Sequence, residues 1–172
     1  MRRFTLIPLL AALLLSAWNA RAGAKYDSMI AEVIARRAAL DQSAVADPKA
    51  EALRVKGIAL LDEALQIHSA SGLSEASDFL KTLGKALVTI DKAARRVRPS
   101  AFAVAADAAT ASIWTVASNV FLLPVGKATD PIQTLAKRLR PAFRSAGKGQ
   151  FAKAVGKLAK AWPALLRVDP NP

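Results

Sequence analysis

The sequence predicts an all-α protein that folds as a bundle of about five to six helices. Alanine is abundant, β-branched residues rarely cluster, and glycine and proline stand mainly at the boundaries between apolar-periodic segments. Alanine has the highest helix propensity, whereas glycine and proline tend to end helices. These observations favour helix in nearly every segment of the chain after residue 22.

The first residues have the pattern of a cleavable export signal. A cationic start at residues 1–3 is followed by an apolar run over residues 4–18, and small residues precede a cut after Ala22 or Ala24. The run is shorter than the roughly 20 residues that a membrane-spanning helix needs. We therefore expect a Sec-type signal over residues 1–22 that is removed. The mature protein is expected in the periplasm or outside the cell, either free or peripheral to the membrane.

Removal of this signal leaves 150 residues, the size of one ordinary domain. We expect a single helical domain over residues 23–168 and a disordered tail over residues 169–172. The chain has no cysteine, which excludes disulfides and thiolate metal sites. The domain is therefore expected to be held together by packing alone.

The formal charge of +12 is unevenly distributed along the chain. Residues 23–125 contain 12 basic and 11 acidic side chains, whereas residues 126–172 contain 10 basic and 2 acidic ones. A near-neutral helical core is therefore predicted over residues 23–125, followed by basic amphipathic helices over residues 126–168. This asymmetry favours an anionic partner for the C-terminal third.

The first two helices are predicted over residues 28–40 and 48–71, and Asp27 or Ser28 is expected to cap the first. Asp47 is a good cap for the second helix because its carboxylate accepts hydrogen bonds from free amides, and Pro48 loses no hydrogen bond at the first helical position. Gly72 is a natural end for this helix.

A third helix is predicted from a cap at Ser74 to the residue before Pro99. The short link around Gly72 makes the second and third helices an antiparallel hairpin. The apolar side chains of the third helix recur at helical spacing and form the clearest stripe of the chain: Phe79, Leu80, Leu83, Ala86, Leu87, Ile90, Ala93, Ala94 and Val97.

The fourth helix, predicted over residues 101–123, is apolar on nearly all sides, and Asp107 is its only charge. It is either the central buried helix of the bundle or a segment that inserts into a bilayer, since its length is sufficient to span one. Burial in protein is favoured because a mid-helix aspartate costs a few kcal/mol in a membrane. Asp107 is either a buried acid with a raised pKa or, as we favour, a partner of a basic side chain or an exposed residue.

Two basic helices are predicted over residues 130–145 and 150–166, with Pro141 bending or ending the first and Pro163 disturbing the last turn of the second. The apolar face of the last helix contains Phe151, Val155, Leu158 and Trp162, and that of the helix before it contains Ile132, Leu135, Leu139 and Phe143. The exposed cations predicted to form an anion-binding or membrane-binding surface are Lys137, Arg138, Arg140, Arg144, Lys153, Lys157 and Lys160.

No pattern of residues indicates catalysis. His68 is the one histidine, and it lies on the apolar side of the second helix without the further ligands that a metal or haem site needs. A boundary histidine near a helix end is the favoured interpretation. Neither a phosphate-binding glycine loop nor a nucleophile elbow is present. We therefore expect a protein that is not an enzyme and has no cofactor or metal.

The cationic helices allow two interpretations that are compatible. In the first, the helices lie on an anionic membrane with their aromatic side down. In the second, they dock that side on the bundle and leave a positive surface in water. Docking is favoured because the core of the domain needs these apolar faces. The predicted function is binding of an anionic or membrane-associated partner: an anionic lipid surface, an acidic protein or an acidic polysaccharide. Nucleic acid is the least favoured partner for an exported protein. The alternative is a structural accessory subunit of a membrane complex on the exported side, and the sequence leaves the oligomeric state open.

Overall fold

A computed structural model describes the backbone over residues 6–123, 129–170 and 172, and the side chains of those ranges from residue 24 onward. All regular elements in these ranges are helical, which confirms the predicted all-α bundle. The elements are α1 (Leu6–Asp41), α2 (Pro48–Ser71), α3 (Ala76–Arg96), α4 (Ala101–Val120), α5 (Asp130–Ala146), α6 (Phe151–Leu158), a 3₁₀ turn (Ala159–Ala161) and α7 (Trp162–Leu165).

Helix α1 is already helical before Ser28, where the sequence predicted its start. The Ser28 hydroxyl donates to the carbonyl of Ala24, 2.6 Å away, so this serine bonds backward within the helix and does not cap it. Among the described residues of α1, the side chains of Tyr26, Met29, Val33 and Leu40 are buried and recur at helical spacing. The predicted signal falls on residues whose side chains lie outside the described part of the chain.

The predicted hairpin of α2 and α3 is confirmed, because these two helices pack against each other. The Asp47 carboxylate accepts from the amide of Ala50 at 2.6 Å, as expected of an N-cap. Gly72 ends α2 with a positive φ of 55°. Ser74 does not cap α3: its hydroxyl donates to the carbonyl of Ser71 at 2.6 Å, and the helix begins two residues later.

The central helix is α3, which corrects the expectation that α4 occupies this position. Helix α3 packs against α2, α4, α6 and the short C-terminal helices. Helix α4 packs against α1, α3 and α6 but keeps one side in solvent, where Val104 is 70% exposed. Many alanines make α4 apolar on average, but each of them buries little surface. The large side chains in the stripe of α3 provide the core.

Helix α6 crosses α3 where two glycines meet. A Cβ atom on Gly84 would lie 2.4 Å from the Cα atom of Gly156, so the two backbones are in direct contact. Helix α5 packs beside α6 and the short C-terminal helices, and it continues through Pro141 without ending there. Of the two basic helices, α6 packs directly on α3 and α4, and α5 is attached to the bundle mainly through α6.

The final helix is interrupted earlier than predicted, by the 3₁₀ turn ahead of Pro163. Proline has no amide hydrogen, so it cannot bond the carbonyl of Ala159 in the preceding turn. That carbonyl accepts from the backbone amide of Trp162, which closes the 3₁₀ turn, and from the Ser77 hydroxyl of α3 at 3.1 Å. In the predicted tail, the amide of Asp169 donates to the carbonyl of Leu165 at 2.8 Å.

Candidate anion-binding surface

The apolar face predicted for the last helix lies inside the bundle. Val155, Leu158 and Trp162 are buried, and Phe151 is partly buried with its ring stacked 6.5 Å from that of Trp114. The prediction that this face docks is therefore confirmed. In the folded protein the aromatic side of α6 is covered by α3 and α4 and does not face a membrane.

The predicted cations remain at the surface. Lys157 is partly buried and the other six are exposed. The salt bridges of the described residues all involve arginines that precede residue 100, and each pairs with a nearby carboxylate: Arg36, Arg37, Arg54, Arg95 and Arg98. None of the seven predicted cations takes part in these bridges, because the last 47 residues contain only Asp130 and Asp169 as acids.

Two of the seven cations have a structural role. A terminal guanidinium nitrogen of Arg138 donates to the carbonyl of Lys160 at 3.1 Å. The Lys157 ammonium donates to the Ser145 hydroxyl at 2.5 Å. Both contacts join α5 to the segment that contains α6 and the 3₁₀ turn. The remaining five have no hydrogen-bond or ion-pair partner among the described residues: Lys137, Arg140, Arg144, Lys153 and Lys160.

These cations form what we call the basic surface, made of the five free side chains together with Arg138 and Lys157. Lys137, Arg140 and Arg144 recur at intervals of three and four residues, so they share one face of α5.

Phe143 lies at the edge of the apolar face of α5 and is 43% exposed, although the sequence placed it among docked side chains. Its ring meets Trp114 edge-on, with 5.4 Å between the ring centroids. An exposed aromatic ring therefore lies beside the free cations Arg140 and Arg144. Periodicity alone could not find this feature, because it does not specify how far the docked face extends around a helix.

Asp107 forms an ion pair, as favoured from the sequence. Both of its carboxylate oxygens accept from Arg98, at 2.5 and 2.6 Å. The side chain is 54% exposed, so the buried-acid alternative is wrong. Together with Asp91, Arg95 and Lys153, this pair lines a groove of about 400 Å³ beside the start of α6.

His68 belongs to an aromatic cluster. Its ring lies 5.4 Å from Tyr26 and 6.3 Å from Phe79, and Tyr26 also lies 5.5 Å from Trp162. Burial, aided by the charge of Asp27, raises the pKa of Tyr26 well above its usual range. Among the described residues, no three histidine, aspartate or glutamate side chains are grouped so as to hold a metal. The cluster joins α1 to the C-terminal end of the bundle.

In the part of the chain whose side chains are described, from Ala24 onward, α4 is the one helix long and apolar enough to cross a membrane by length and composition. In the most apolar 18-residue stretch of α4, 44% is buried in the bundle, which is less than half. Its exposed side has a single charge, at Asp107, which is paired. This side of α4 is thus a second surface that is available for contacts.

No family model matches the chain, and no curated protein or solved structure matches it either.

Proposed function

We propose that this is an exported helical protein that is not an enzyme and that binds an anionic partner through the basic surface of α5 and α6. The observation that carries the proposal is the local excess of cations. Residues 126–172 contain 10 basic and 2 acidic side chains, and no cation of the basic surface forms a salt bridge with a described residue.

Unpaired cations on a rigid scaffold generate a positive potential that attracts anions and accelerates their association. Near an anionic membrane each such residue contributes about 1 kcal/mol, and salt screens this contribution over about 10 Å at 0.1 M ionic strength. Arg138 and Lys157 hold α5 against the C-terminal segment, so the free cations keep a fixed arrangement. Binding is therefore expected to be strong at low salt and to weaken steeply as salt is added.

The proposed cleavage sites lie just before Tyr26, a buried side chain that a cut after Ala22 or Ala24 would leave in the mature protein. Cleavage after Ala24 would separate the Ser28 hydroxyl from the carbonyl that it bonds within α1, whereas cleavage after Ala22 would keep that bond. Mass spectrometry of the exported protein distinguishes the two sites.

The test uses the chain from residue 23 onward, with vesicles that contain anionic lipid and with soluble polyphosphate. The variant Arg140→Glu/Arg144→Glu changes two free cations of the basic surface. Its matched control, Lys49→Glu/Lys56→Glu, changes the charge equally on exposed positions of α2, which does not pack against α5 or α6.

We expect the first variant to lose at least about 2 kcal/mol, or about 30-fold in affinity, for the anionic probe that the protein binds. The α2 control should stay within a fewfold of the unmodified chain. Equal losses in the two variants would show that only net charge matters and that the basic surface is not the binding site.

A second candidate function is supported by α4. Its exposed side presents Val104 and, just beyond the helix, Leu122, with few charges nearby. An accessory subunit of a membrane complex could bury this side against protein. Association with a membrane fraction that survives high salt and is lost in Val104→Glu would favour this function, because salt screens charges but does not weaken apolar contacts. Release by salt alone would favour the basic surface.

A further inference from the structure

The outward side of α5 combines free cations with an exposed apolar edge, and it forms a surface distinct from the docked side of α6. We propose that α5 lies on an anionic phospholipid bilayer, with its cations at the lipid phosphates and Phe143 inserted among the headgroups and upper acyl chains. This inference rests on the proposed function and names its partner.

Helix α5 is accessible along its outer side. Its substantial helix contacts are with α6, the 3₁₀ turn and α7, so it lies at the periphery of the described bundle. Its buried residues are confined to one side of the helix: Leu135, Ala142 and Ser145. No described helix covers the opposite side, which can meet a flat surface.

Two stripes run side by side along this helix. The apolar stripe recurs at intervals of three and four residues and is partly or fully exposed: Ile132, Ala136, Leu139 and Phe143. The cationic stripe follows it one residue further along: Lys137, Arg140 and Arg144. Adjacent apolar and cationic stripes are what a helix at an anionic membrane interface requires, since each stripe meets its own layer of the bilayer.

Phe143 is held in place before any contact with lipid. Its ring packs edge-on against Trp114, and Trp114 in turn stacks on Phe151 of α6. Trp114 is itself nearly buried, so the base of this row of rings is fixed in the bundle. A ring that is already ordered loses little conformational entropy when it inserts.

A bilayer explains the apolar stripe better than a soluble polyanion does. A polyphosphate or an acidic polysaccharide uses the cations but gains nothing from an exposed phenyl ring beside them. At a membrane surface the ring leaves water for the acyl boundary, while the neighbouring guanidinium groups bind phosphate oxygens. The two sources of negative charge are therefore distinguished by whether Phe143 contributes to binding.

The experiment compares Phe143→Ser with Val55→Ser, a matched control at a similarly exposed apolar position on α2. Vesicles of phosphatidylcholine with and without phosphatidylglycerol are one probe, and soluble polyphosphate is the other. We expect Phe143→Ser to weaken binding to the anionic vesicles about fivefold, because the part of the phenyl ring that leaves water in the bilayer is lost, and to leave polyphosphate binding unchanged. Val55→Ser should change neither.

A second variant tests insertion directly and does not depend on a loss of binding. Phe143→Trp keeps a large ring, and its additional fluorescence should be quenched by lipids that are brominated along the acyl chains. The far-ultraviolet circular dichroism spectrum of each variant verifies that the bundle is intact.

The outcomes separate this inference from the proposed function. If Phe143→Ser binds anionic vesicles as well as the unmodified chain while Arg140→Glu/Arg144→Glu loses both probes, bilayer insertion is wrong and anion binding stands. If neither probe responds to the charge variant, anion binding itself is wrong, and the bilayer inference fails with it. Absence of quenching in Phe143→Trp on bound vesicles would likewise overturn insertion.

Discussion

Replacing Gly84 by alanine is expected to destabilise the bundle, although the same substitution inside a helix normally stabilises it. The new Cβ atom would lie 2.4 Å from the Cα atom and 2.6 Å from the amide nitrogen of Gly156. Both are backbone atoms of α6, so a change of rotamer cannot relieve the overlap. The helices would have to separate along their crossing.

The magnitude follows from two opposing contributions. Overpacking of a close contact costs about 1–3 kcal/mol, and an overlap with backbone belongs at the upper end of that range. Alanine recovers about 1 kcal/mol through its helix propensity. A net loss of about 2 kcal/mol in the free energy of unfolding is therefore expected.

The assay is urea denaturation followed by circular dichroism. With a slope of about 2 kcal/mol per molar urea, Gly84→Ala should lower the midpoint by about 1 M. The control is Gly156→Ala, where the nearest atom to the new Cβ, the Cα of Gly84, is 3.4 Å away. This substitution should be neutral or stabilising. If Gly84→Ala is as stable as Gly156→Ala, the two backbones do not pack as closely as described.

Three further predictions concern single contacts. Asp47→Ala should lower the free energy of unfolding by about 1 kcal/mol because it removes the cap of α2, and Asp47→Asn should recover most of that loss in the same urea titration. The Ser112 hydroxyl lowers the pKa of Glu32, so the stability from this contact is present above the ordinary glutamate pKa of 4.5 and is lost as the pH falls below it. Melting temperatures between about pH 3 and 6 should therefore decline less steeply in Ser112→Ala, and an unchanged decline would contradict that assignment. Arg138→Ala should cost about 1 kcal/mol because it loses the bond to a C-terminal carbonyl, whereas Lys137→Ala should stay within about 0.5 kcal/mol of the unmodified chain.

The sequence was most informative where a local interaction determines the structure. The start of α2 is fixed by an aspartate and a proline that act within one turn, and its end by a glycine with positive φ, so these boundaries were predicted correctly. Serine was less informative because its hydroxyl can either accept from an amide of the helix that follows or donate to a carbonyl that precedes it. Ser28 donates backward to a carbonyl within α1, and Ser74 donates backward to the carbonyl of Ser71 instead of capping α3.

Features that depend on which helices meet could not be predicted. Average apolarity suggested that α4 is central, but centrality depends on how many partners a helix has, and α3 has more. The exposure of Phe143 likewise depends on the distance between α5 and α4, which no pattern in α5 specifies. Of the candidate site, the identity and exposure of the cations followed from the sequence. The structural roles of Arg138 and Lys157 required knowledge of their partners.

The aromatic cluster around Tyr26 has a consequence for the order of synthesis and folding. Tyr26 lies just after the proposed cleavage sites, yet its ring packs against Trp162, close to the other end of the chain. The core at this end cannot close until the ribosome has made nearly the whole protein. Until then the ring of Tyr26 lacks one of its aromatic neighbours, so this part of the core forms only from a domain that contains both ends.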